Sequence, residues 1–156
     1  MKGNPQVLAA LSDVLTAELT AINQYFCHAK MLQNWGYKLL AKHVREESID
    51  EMKHADELIE RILFLEGVPN LQKLGKLAIG ESVKEQFTND LAMEYDAVKR
   101  FNDAIKLCRD VGDNGSEDLL KKMLVSEEHH VDWLETQLAL MGSLGDPMYL
   151  AQQLHA

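Results

Sequence analysis

The chain has 156 residues, enough for one domain with a buried core, and 46% of them are hydrophobic, which excludes a disordered chain. With 16 basic against 25 acidic residues the net charge is −9, so nucleic acid is disfavoured as a partner and cations are favoured. No apolar run approaches the roughly 18 to 20 residues of a membrane span, and "MKGNPQVLAA" lacks the apolar stretch of a secretory leader, so a soluble cytoplasmic protein is expected.

Asn4 and Pro5 read as the N-cap and first residue of a helix whose apolar periodicity lasts to about Leu32, where "NWGYK" interrupts it. A second helix is expected from about Lys38 to Glu66, ended by "GVPN". Ser82 with Glu85 forms a capping-box pattern for a third, which reaches about Val111. After "GDNG", Ser116 is expected to cap a fourth helix to about Met141, and Asp146 with Pro147 opens a short last one. The turns within each pair are short, while residues 67 to 82 between the pairs are many. An all-α bundle of four helices with one long crossover and a short fifth helix follows, as one unit over residues 1–156.

Each long helix carries an apolar stripe with a polar break near mid-length. The first runs Leu8, Leu11, Leu15, Glu18, Ile22, Tyr25; the second Val44, Glu47, Glu51, His54, Leu58, Ile62. The third runs Phe87, Leu91, Glu94, Val98, Phe101, and the fourth Met123, Glu127, His130, Leu134, Leu138. Glu18 precedes Glu51 by 33 residues and Glu94 precedes Glu127 by the same 33, and a histidine follows each later glutamate by three. In antiparallel hairpins each glutamate pair is therefore level, at roughly 25 Å from its turn. Chance gives about 0.5 Glu-x-x-His pairs at this composition, so the spacing alone proves little. The conjunction of apolar stripes, matched heights and a repeated interval carries the argument. Four carboxylates buried together without cations cost several kcal/mol each or must be protonated. With two imidazoles they offer oxygen and nitrogen donors and a charge of about −4, which two divalent ions neutralise. Ferritin-like di-iron and di-manganese bundles use this ligand set.

The blocks "AINQYF", "ESIDEMKHAD", "RILFLEGVPNLQ" and "DWLETQL", spread over almost the whole chain, resemble those of the bacterioferritins. The resemblance implies a ferroxidase centre of Glu18, Glu51, His54, Glu94, Glu127 and His130, with Glu51 and Glu127 bridging two irons and each histidine terminal. It implies iron storage as ferric mineral in a hollow shell of 24 subunits, homo-oligomeric or mixed with a second subunit type. Met52 is rotated about 100° from Glu51 on the helix and faces away from the stripe. By the resemblance, Met52 from each of two subunits supplies the axial ligands of one haem b, which passes electrons from a ferredoxin-type donor to the stored iron. A rubrerythrin-like peroxidase is the competing enzyme, but its four-cysteine centre has no counterpart here. A shell subunit with an inert site is the competing non-enzyme, and the intact ligand set opposes it.

Other positions carry weaker expectations. Tyr25 suits an oxidisable neighbour of the metals or a core tyrosine, and Trp35 and Trp133 suit packing. Glu46, Glu47 and Asp50 are candidates for iron on the shell's inner surface, although the family often has histidine at the position of Glu46. His129 is a local variation beside His130. His28, His43 and His155 are expected at the surface, and Cys27 and Cys108 as free thiols in a reducing compartment.

Overall fold

The computed structural model describes residues 1–155. Five helices follow in order: α1 Pro5–Trp35, α2 Lys38–Phe64, α3 Val83–Asp110, α4 Asn114–Leu144 and α5 Asp146–Ala151. The first starts as the sequence suggests, with the Asn4 side chain accepting from the Gln6 N–H at 2.8 Å. It continues three residues past Leu32, because Trp35 still packs on the core and Gly36 closes the helix at φ 93°, a left-handed conformation that favours glycine. Ser82 caps α3 by accepting from Glu85 N–H at 3.1 Å.

The expected cap of α4 is displaced. Asp113, not Ser116, is the N-cap: its carboxylate accepts from Ser116 N–H at 3.0 Å and from the Ser116 hydroxyl at 2.7 Å. Arg61 from the end of α2 donates to both Asp113 (2.9 Å) and Ser116 (3.0 Å), so one carboxylate starts α4 and ties it to α2. Burial works against the Asp113 charge, but the bonds from Ser116 and the Arg61 guanidinium hold its carboxyl below the usual range. Asp113→Ala is expected to cost about 1–2 kcal/mol, and to lower the melting temperature by about 3–6 °C in calorimetry. An unchanged melting temperature contradicts the assignment.

The four long helices form a square: α1 lies against α2 and α3, and α4 against α3 and α2, so the α1/α3 and α2/α4 faces are opposite. Two apolar clusters fill it. One holds Leu11, Leu15, Leu58, Phe101 and Leu120, the other Tyr25, Leu32, Val44, Phe87 and Leu134. They lie on opposite sides, along the bundle, of the level where the polar breaks of all four stripes meet. Among the described residues there is no strand, and no helix is long and apolar enough to cross a membrane. Cys27 and Cys108 are free thiols, half-buried and buried.

The crossover between α2 and α3 has little regular structure, so its backbone donors need other partners. One face of α1 provides them at four-residue steps: Thr20 accepts from Gly75 N–H (2.8 Å), Gln24 from Ala78 N–H (3.0 Å) and His28 Nε2 from Gly80 N–H (3.0 Å). A Cβ on Gly80 would lie 2.4 Å from the Gln86 nitrogen, so only glycine allows this approach. His28 is therefore fully buried rather than at the surface, with Nδ1 2.9 Å from Asp90 Oδ1. His155 is exposed as expected.

Candidate metal centre

Between the two apolar clusters the structure brings together all six residues of the expected centre. Glu18, Glu51, Glu94, Glu127 and His130 are buried, and the His54 side chain is 11% exposed. Their donor atoms form two overlapping groups, each within 4.8 Å: Glu18, Glu51, His54 and Glu127, and Glu51, Glu94, Glu127 and His130. Glu51 and Glu127 belong to both. His54 Nδ1 lies 3.1 Å from Glu127 and 3.4 Å from Glu18, while His130 Nδ1 lies 3.0 Å from Glu51 and 3.6 Å from Glu94 and from Glu127. Both imidazoles thus turn the same ring nitrogen inward.

Burying this many ionisable groups has consequences for protons. Burial pushes the Glu51 carboxyl up to about 8, aided by the Glu127 charge. Burial and Glu127 likewise place Glu94 well above the ordinary carboxylate range. Burial also opposes the Glu127 charge, but hydrogen bonds from Glu94, His130 and His54 hold that carboxyl low. Burial disfavours charge on the imidazoles, yet bonds to Glu127, and for His130 also to Glu51 and Glu94, raise both. The metal-free cluster therefore holds protons that an arriving cation displaces.

Stabilisation from the raised Glu51 is full below its ordinary value of 4.5 and is lost as pH rises to about 8. The raised imidazoles act in the same direction, and the lowered Glu127 acts only in the acid range. The metal-free protein is expected to melt several degrees lower at about pH 8 than at about pH 5, with Zn²⁺ restoring the difference. A melting temperature that rises over this interval contradicts it.

Within this cluster six buried ligand atoms lack a well-aligned hydrogen bond, close as some of them lie to one another: both Glu51 oxygens, one oxygen each of Glu94 and Glu127, and both His130 nitrogens. Such orphans are costly unless cations or protons satisfy them. The chemistry of the set, carboxylate oxygen with imidazole, suits iron, manganese or zinc. Tyr25 donates to Glu94 at 2.5 Å, and its ring meets His130 edge-on at 6.1 Å. Burial, and then the Glu94 charge, raise its phenol well above the ordinary value, so it stays protonated there.

Several surroundings differ from the sequence-based expectation. Glu47 is not on a surface: it is 4% exposed, with one oxygen 2.6 Å from His43 Nε2 and the other 3.3 Å from His130 Nδ1. His43 is half-buried because its ring stacks on Trp133 of α4, with the ring centroids 3.8 Å apart. Trp133 also packs on Phe87, and Trp35 on the same cluster. Asp50 is about half exposed and lies 3.6 Å from His130 Nε2; Glu46 and His129 are exposed. Gln24 and Asp90 were missed altogether; they are buried and joined at 2.8 Å. Their signal was the four-residue spacing of Asp90 from Glu94 and of Gln24 from Thr20. Met52 is 55% exposed and shares an outward face of α2 with Arg45 and Ile49, beside Phe26 of α1.

A family model described as a ferritin-like domain matches residues 8–143. The chain is 53% identical to the bacterioferritin of Mycobacterium tuberculosis over 97% of its own length and 96% of the relative's. It is 52% identical to that of Mycobacterium leprae with the same coverage, and 49% identical to that of Brucella melitensis over 96% and 92%.

Proposed function

The chain belongs to the bacterioferritins, iron-storage proteins built on the ferritin-like domain, and from that premise we propose that it is a cytoplasmic ferroxidase working in a shell of 24 copies. The observation that carries the reading is the pair of overlapping donor groups that share Glu51 and Glu127. Glu18 and His54 would hold one Fe²⁺, Glu94 and His130 the other, and Glu51 and Glu127, common to both groups, would serve both. Holding both ions in one buried cluster makes two electrons available together.

Two Fe²⁺ reduce O₂ with two protons to H₂O₂, leaving two Fe³⁺. Two more Fe²⁺ reduce H₂O₂ with two protons to two H₂O. The sum is 4 Fe²⁺ + O₂ + 4 H⁺ → 4 Fe³⁺ + 2 H₂O. In this chain, Glu51 and Glu94 give up protons as Fe²⁺ loads, and Glu127, held low, remains an anionic ligand. Tyr25, bonded to Glu94, fixes that carboxylate's orientation. The product Fe³⁺ moves to the mineral inside the shell.

The outward face around Met52 suits haem b. Its exposed thioether, with exposed Ile49 one turn away on the same helix face, would offer haem a soft ligand, and Met52 of a second copy would supply another. Haem held there would supply a one-electron path from a ferredoxin-type donor for reducing stored Fe³⁺.

Stopped-flow mixing of the assembled protein with Fe²⁺ and O₂ tests the oxidase. A fast phase that saturates at two irons per chain is expected, and a rate no faster than iron in buffer would remove the reading.

A further inference from the structure

Gly75, Lys76 and Ala78 of the crossover line a cavity of about 320 Å³ between α1 and α3, whose lining also includes Glu18, Glu51, Glu94 and Glu127. Whatever fastens the crossover therefore sets how open that cavity is. The fastening is organised by one carboxylate of α3. Asp90 Oδ1 accepts from Gln24 Nε2 at 2.8 Å and lies 2.9 Å from His28 Nδ1, and all three side chains are buried. With those ends held on α3, the other polar atom of each α1 side chain is left for the crossover: Gln24 Oε1 accepts from Ala78 N–H and His28 Nε2 from Gly80 N–H, each at 3.0 Å.

The second of these bonds fixes a protonation state. A backbone N–H can only donate, so His28 Nε2 carries no proton, the ring is neutral, and its proton is on Nδ1, towards Asp90. A proton added at Nε2 would set a donor against the Gly80 donor, while the contact with Asp90 would gain charge and strengthen. Gly80 thus requires the neutral ring and Asp90 favours the charged one. Burial raises the Asp90 carboxyl, the bonds from His28 and Gln24 oppose this, and the Glu47 charge adds to it, so an imidazolium at this place offsets part of the cost of a buried anion. The other ionisable groups are more distant. Asp90 is the only ion-pair partner of His28 among the described residues; Glu47 of α2 and Tyr25 of α1 interact with Asp90 through space, and the crossover adds the exposed Glu81 beside Gly80.

We propose that His28 is an acid-sensitive latch on the crossover: the neutral ring fastens Gly80 beside the α1/α3 cavity, and a proton on Nε2 releases it. The latch holds while Nε2 is free and is lost as pH falls and that nitrogen takes a proton. Thr20, which accepts from Gly75 N–H and does not titrate, keeps the earlier part of the crossover in place, so the release is local to the segment that approaches α3. The crossover is then a strap whose far end loosens in acid and widens the way to the donor cluster.

Hydrogen–deuterium exchange of the assembled protein tests this, read on a peptide spanning residues 72–82 at about pH 7.5 and about pH 5.5 and corrected for the pH dependence of chemical exchange. Acid is expected to speed corrected exchange there about tenfold, because a buried donor loses its acceptor, and to leave a peptide from the middle of α4 unchanged. His28→Gln, whose Oε1 can accept from Gly80 N–H but takes no proton, is expected to exchange at the same corrected rate at both pH values. Asp90→Ala, which frees both α1 side chains, is expected to exchange faster than wild type at the higher pH. Equal corrected rates at the two pH values in wild type, an acid effect shared by the α4 peptide, or an acid effect that persists in His28→Gln overturns the proposal. The wild-type comparison decides it even if a variant does not fold.

Discussion

Glu127→Ala is expected to eliminate rapid Fe²⁺ oxidation, lowering the rate by about 100-fold or more, while Glu18→Ala leaves one ion bound. The contrast comes from the overlap of the two donor groups. Glu127 belongs to both, its side chain fully buried, with one oxygen 3.1 Å from His54 and the other 3.6 Å from His130. Removing it takes an anionic ligand from each ion at once. Glu18 contributes to one group only. Metal stoichiometry should therefore fall from two to none in Glu127→Ala and from two to one in Glu18→Ala. Equal losses in the two variants would mean that Glu127 is not shared. Circular dichroism is expected to show assembled helical protein in both, because the two apolar clusters lie away from the substitution.

Met52→Leu is expected to abolish haem binding, from one haem per pair of chains to none, with the ferroxidase rate kept. Leucine matches methionine in volume and hydrophobicity, so the outward face around Ile49 and Phe26 remains apolar and only the thioether is lost. Met52→His restores a ligand of different type and is expected to bind haem with a shifted visible spectrum. An unchanged spectrum in Met52→Leu would remove the haem assignment. Retained ferroxidase activity separates this site from its neighbour: Met52 faces outward where Glu51, one residue earlier, is buried.

The stripes made much of this legible. Leu11, Leu15, Phe101 and Leu134 recur at steps of three and four and are buried, and the polar intruders among them meet at one level. The cap of α4 was misread because Asp113 and Ser116 both suit the position, and the Arg61 bond that favours Asp113 comes from 52 residues away. His28 was assigned to the surface because the inward stripe of α1 does not include it. The crossover covers that second face, and a segment of little regular structure leaves no periodic trace of where it lies. Glu47 lies on the inward stripe of α2 and is buried accordingly, whereas the half-burial of His43 comes from its stack on Trp133 of α4, a contact that the pattern of α2 alone does not encode.

Anaerobic titration of the metal-free assembly with Co²⁺ near pH 8, followed by visible absorption, tests most directly whether Glu18, Glu51, His54, Glu94, Glu127 and His130 make a two-metal centre. Two tightly bound ions per chain in the native protein and none in Glu127→Ala is the expected result. One ion per chain, or two that survive Glu127→Ala, would contradict it.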